Sequence, residues 1–73
     1  DPNFSTAWQY RGELEMERGE TLSAIDSLSH ALDTSQTLTA LQKREQCYRR
    51  LGLLVKAEQD RRAQEELNWQ SPK

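Results

Sequence analysis

The 73-residue chain lacks most of what would staple or anchor a small protein. It has one cysteine, Cys47, so no disulfide can form within it, and one histidine, His30, so the usual Cys/His spacing of a metal site has no ligands to fill it. No apolar run approaches the ~20 residues of a membrane span, and no basic start leading into an apolar stretch marks a signal peptide. A lone thiol without a targeting or membrane segment points to a reducing, cytoplasmic setting. Glycine is scarce, and none of Gly12, Gly19 and Gly52 sits in a phosphate-cradling loop. Aromatic residues make up 7% and do not interleave with Arg44, Arg49, Arg50, Arg61 and Arg62, which together with a net charge of −2 argues against nucleic acid as a partner.

What is present is a marginal core and a divided charge. Hydrophobic residues make up 34% of the chain and charged residues 30%. A domain of this size buries only ~60% of its unfolded surface, and its core supplies roughly 3–5 kcal/mol without a staple. Residues 1–38 hold seven acids and two bases, whereas residues 39–73 hold five acids and eight bases, so the two halves attract each other.

Hydrophobic spacing divides the chain into four helices. Asp1, Pro2 and Asn3 form a turn signal, after which a helix is expected over residues 5–18, ended by Gly19. Thr21 can cap a second helix over 21–33, where Leu22, Ile25, Leu28 and Leu32 recur at helical spacing beside a stripe of Ala24, Leu28 and Ala31. The polar run Thr34 to Thr37 interrupts. A third helix follows over 38–51, with Leu38, Leu41, Tyr48 and Leu51 on one face and Gly52 as its stop. The fourth, from Leu53 or Leu54 to Trp69, has a poor apolar stripe of Leu54 and Ala57 followed by Arg61 and Gln64. So polar a helix suits the solubilising end of a stack, and Ser71, Pro72 and Lys73 then end the chain.

Gly12 in mid-helix costs about 1 kcal/mol relative to alanine, so its presence implies a helix packed too close for a side chain, answered by Ala24 and Ala31. Trp8 is the expected anchor of the core because of its large apolar area. A shift of 33 residues superposes Ala7 on Ala40, Arg11 on Arg44, Gly19 on Gly52, Leu22 on Val55 and Ala24 on Ala57. Self-similarity at that period is the signature of stacked helical hairpins.

With these residues in place, the first unit resembles a tetratricopeptide repeat, whose pattern is W-x2-L-G-x2-Y, then A-x3-F, then A, then P. Trp8, Gly12, Ala24 and Ala31 match, Leu28 stands for the aromatic residue, and Gly19 fits the inter-helix turn. Arg11, Glu15 and Gln36 depart from it. In the second unit Tyr48, Gly52 and Ala57 match, while Leu41, Glu45, Arg61 and Gln64 depart. The resemblance implies an all-α fold of two right-handed, stacked antiparallel hairpins, about 5–34 and 38–69, in one domain. It further implies the end segment of a longer array, adhesive at its first helix and closed at its last.

Enzyme chemistry finds no constellation. His30 shares a polar helix face with Ser23, Asp26 and Ser27, and Cys47 has no histidine near it in sequence and reads as a small half-buried hydrophobe. The outward face of the first helix presents Thr6, Gln9, Glu13, Met16 and Glu17, and that of the third presents Thr39, Gln42, Lys43, Gln46, Arg49 and Arg50. By resemblance these residues line a concave groove that holds an extended or helical peptide. Gln9 and Glu13 stand where members that clamp chaperone tails carry lysine and asparagine, which argues against that ligand. The expected function is therefore a non-enzymatic scaffold module, without cofactor or metal, that binds a peptide or partner protein. An acidic group or C-terminal carboxylate of that partner reaches Arg49 or Arg50. The alternatives are a merely solvated face in which Glu17 pairs with Arg50, and a structural element that assembles copies of itself.

Overall fold

Each of the four apolar stretches is a helix in the structure, a computed structural model that describes residues 2–70 and the side chains of 4–69. The helices are α1 (Pro2–Glu17), α2 (Thr21–Thr34), α3 (Leu38–Arg50) and α4 (Leu54–Gln70), with no strand among the described residues. They form two hairpins, α1 on α2 and α3 on α4, joined where α2 packs on α3 and α1 touches α3.

Glycine ends the first helix of each hairpin by the same geometry. Gly19 and Gly52 have φ of +78° and +76°, the left-handed region that other residues enter at a cost. The amide of Gly19 donates to the Met16 carbonyl at 3.0 Å and that of Glu20 to the Glu15 carbonyl at 2.8 Å. Gly52 and Leu53 repeat the pattern on Arg49 and Tyr48, at 3.0 and 2.8 Å, so each turn satisfies two of the carbonyls left over at its helix end. At the joint, Thr37 Oγ1 caps α3 by accepting the Ala40 amide at 3.2 Å.

The boundaries differ from expectation at two starts. α1 begins at Pro2, inside the expected turn, because proline lacks the amide that a first helical residue cannot use and its fixed φ suits that position. Asp1 and residues 71–73 of the expected turn and terminus lie outside the described residues. Thr21 does not cap α2; it is already helical, and Glu20 precedes it without a side-chain capping bond.

The core gathers Ala24, Leu28 and Leu32 of α2 with Ala40, Leu41 and Cys47 of α3, and Met16, Ile25, Ala63 and Leu67 pack against it. A Cβ on Gly12 would lie 2.8 Å from Leu28 Cγ, 2.9 Å from Leu28 Cδ2 and 3.4 Å from the Ala24 carbonyl oxygen. This is the close crossing that the glycine implied. Buried hydroxyls fasten the same pair of helices: Ser5 Oγ donates to the Ala31 carbonyl at 2.9 Å, and Ser27 Oγ to Glu15 Oε1 at 2.6 Å.

Three apolar assignments change. Trp8 is half-exposed and outside the core; its ring stacks on His30 at 4.3 Å instead. Leu22 is 72% exposed, because six residues before Leu28 leaves it about 120° round the helix from the core stripe. Leu51 lies past the end of α3 and is exposed, lining a hollow with Leu22 beside the Gly19 turn.

Candidate functional site

Where α1 and α3 run side by side, their outward faces enclose a cleft of about 470 Å³ lined by Glu13, Met16 and Glu17 of α1 and Lys43, Gln46, Cys47 and Arg50 of α3. The spacing explains the set. Residues three, four or seven apart share a helix face, and 13, 16, 17 and 43, 46, 47, 50 follow that rule. Acid thus stands on one wall and base on the other. Among the described residues no ion pair spans them, and the alternative in which Glu17 pairs with Arg50 is not what the side chains do. Glu13 accepts one long hydrogen bond, 3.4 Å, from Gln9 Nε2. Cys47 belongs to both core and cleft. It is 2% exposed, and burial pushes its thiol above the usual value while the neighbouring Arg50 charge draws it back.

Six of the eleven expected groove residues therefore meet, and five do not. Gln9 turns to the joint, where Thr37 Oγ1 donates to its Oε1 at 3.2 Å. Thr6, Thr39 and Gln42 are exposed away from the cleft lining. Arg49 is held by Glu45, Nε to Oε2 at 2.8 Å, and the other oxygen of Glu45 accepts from Gln64 of α4 at 2.7 Å. The reason is angular: Lys43 and Arg50, seven residues apart, lie nearly in line along α3, whereas Arg49 is rotated about 100° from Arg50.

A buried ion pair escaped the sequence reading. Arg44 of α3 binds Asp60 of α4 through two parallel bonds, Nε to Oδ2 at 2.8 Å and Nη2 to Oδ1 at 2.7 Å, and its Nη1 donates to Ser29 Oγ of α2 at 3.0 Å. Asp60 is 3% exposed. The hydrogen bond to Asp60 raises the Arg44 pKa against the opposing effect of burial, so the guanidinium stays charged. The signal that could have found it is register, since Asp60 stands three residues after the buried Ala57 on the inward face of α4.

The outer flank of α1 carries a second grouping. The Phe4 ring lies 6.2 Å from that of Trp8, and the Arg11 guanidinium sits 5.4 Å over the indole that also stacks on His30. Phe4, Ala7, Trp8 and Arg11 border a shallow hollow of about 160 Å³.

Among the described residues no cluster of three or more His, Cys, Asp or Glu side chains is placed to hold a metal, and no helix is long and apolar enough to cross a membrane. A scan of protein-family models, a search of curated proteins and a search of solved structures each returned no match.

Proposed function

We propose that the chain is a protein-interaction module of the tetratricopeptide kind, taking a peptide segment of a partner in the cleft between α1 and α3. The observation that carries this reading is the pair of facing, unneutralised walls: Glu13 and Glu17 opposite Lys43 and Arg50, over a floor of Met16 and Cys47. Charges left without a partner inside a concavity are poised for one from outside, and an arginine beside a lysine favours a carboxylate. The ligand is a segment whose acidic side chain or C-terminal carboxylate lies against Lys43 and Arg50, with Gln46 between them to hydrogen-bond its backbone.

The test is an array of eight-residue peptides with free C-terminal carboxylates, each paired with its C-terminal amide. Binding should favour acidic sequences, weaken as salt rises, and fall about tenfold or more in the double variant Lys43→Glu, Arg50→Glu at unchanged helical content. Arg49→Glu should have little effect. Unchanged affinity in the double variant would overturn the cleft as the binding site.

A further inference from the structure

Lys43 and Arg50 make one wall of the cleft basic, and the wall facing them is acidic. Glu17 is the last residue of α1, as Arg50 is of α3. The carbonyl end of a helix carries partial negative charge, so Arg50 is favourably placed and Glu17 is not. No basic residue stands in the last turn of α1, whereas that of α3 holds Arg49 and Arg50. Among the described residues neither an ion pair nor a side-chain hydrogen bond relieves Glu17, and Glu13 has only the 3.4 Å bond from Gln9. Other acids of the hairpins are satisfied within the fold: Glu15 by Ser27, Glu45 by Arg49 and Gln64, and Asp60 by Arg44.

On the footing that the cleft is the binding site, we infer that it selects a dipolar segment: an extended peptide carrying a lysine or arginine two residues from its carboxylate. The cation lies against Glu13 and Glu17 while the carboxylate lies against Lys43 and Arg50. Spacing sets the motif. Packed helices run roughly 8–10 Å apart, and in an extended chain residues i and i+2 point the same way about 6.6–7 Å apart, a gap that a long basic side chain makes up. The residue between them points to solvent and is left unspecified. Met16 borders the cleft and packs against the core, so it offers an apolar rest for the methylene stem of the ligand's cation, whose charged head continues to the carboxylates. Glu13 and Lys43 are half-buried, and Glu17 and Arg50 are exposed. The inner pair is thus less screened and holds the ligand, while the outer pair orients its approach. A peptide with acid at both positions meets like charge at Glu13 and Glu17 and is turned away.

Two series of eight-residue peptides, otherwise uncharged, supply the carboxylate, one as a glutamate side chain between blocked ends and one as a free C-terminus. In each, the residue two before it is lysine, alanine or glutamate. In the tighter-binding series, fluorescence anisotropy should rank lysine over alanine over glutamate, about fivefold per step, with no effect of the residue between. The ranking should collapse in Glu13→Gln, Glu17→Gln and reverse in Glu13→Lys, Glu17→Lys, a reversal that loss of fold cannot mimic. Lys43→Glu, Arg50→Glu should weaken all three peptides about tenfold or more. Glu17→Gln alone should melt at or above the parent's temperature, since it relieves the helix end.

No ranking in the parent, or the same ranking in Glu13→Gln, Glu17→Gln, would overturn the dipolar ligand yet leave the cleft standing so long as Lys43→Glu, Arg50→Glu still weakens binding. Glu17→Gln melting several degrees below the parent would also overturn it, by showing that Glu17 serves the fold through Arg50. If Lys43→Glu, Arg50→Glu changes nothing, or neither series binds, the cleft falls and the dipolar ligand with it.

Discussion

Gly12 shows how one absent side chain sets the geometry of a hairpin. Gly12→Ala gains about 1 kcal/mol of helix propensity but drives a methyl group into the fully buried Leu28, and overpacking costs typically 1–3 kcal/mol. Urea denaturation should therefore show a net loss of about 1 kcal/mol, where alanine at an ordinary helix position would stabilise. Ala24→Leu, at the same crossing, should lower the melting temperature more than Leu53→Ala, whose side chain is partly exposed. The larger residue effect belongs to Asp60. Asp60→Asn strands the Arg44 guanidinium between three helices and should cost about 3 kcal/mol or more, a large part of the roughly 4–11 kcal/mol expected for a chain of this length. The paired replacement Arg44→Met, Asp60→Leu should recover most of that loss in the same denaturation experiment. The glycine was legible in the sequence, because a helix-breaking residue amid helix formers needs a reason. The aspartate was not: in a helix that is polar all round, one buried acid looks like its solvated neighbours.

At the scale of the element, turn chemistry was the most legible feature, since two glycines at a fixed spacing announce two helix ends. What the sequence conveyed poorly was the rotation of each helix about its axis. Leu22 and Leu51 were placed on apolar faces by their spacing and Trp8 in the core by its size, yet Leu22 lies off the stripe, Trp8 on an outer flank and Leu51 past the end of its helix. α4 depends least on apolar packing and most on charge. Its exposed Glu58 is held below its usual pKa first by the hydrogen bond from Arg61 and then by the charges of Arg61, Arg62 and Arg49. A carboxylate depressed in the folded state adds stability above its ordinary value, near 4.5, and loses it as pH falls through the folded one. Melting temperature should thus decline below about pH 5, less steeply in Arg61→Gln and less steeply at high salt. Cys47 responds in the opposite direction. Burial keeps it a protonated thiol at neutral pH, and a thiol-specific reagent should label it slowly in buffer and rapidly in urea.

For the whole molecule, α2 and α3 share one core, so the two hairpins are expected to unfold together. Leu41→Ala, which truncates a fully buried leucine at the hairpin boundary, should cost about 2–5 kcal/mol and shift a single denaturation transition without splitting it in two. The cleft was about half legible. Glu13, Met16, Glu17, Lys43, Gln46 and Arg50 could be gathered from helical spacing alone, whereas Thr6, Gln9, Thr39, Gln42 and Arg49 depended on which neighbour each side chain preferred. Only three residues, Ser35 to Thr37, join the acid-rich half to the base-rich one, and Ser35 and Gln36 are exposed. A protease nick between those two would turn the single chain into a complementing pair of fragments. Their recombination would be hastened by opposite charge and slowed by salt, while their lifetime together would be set by Leu28, Leu32 and Leu41.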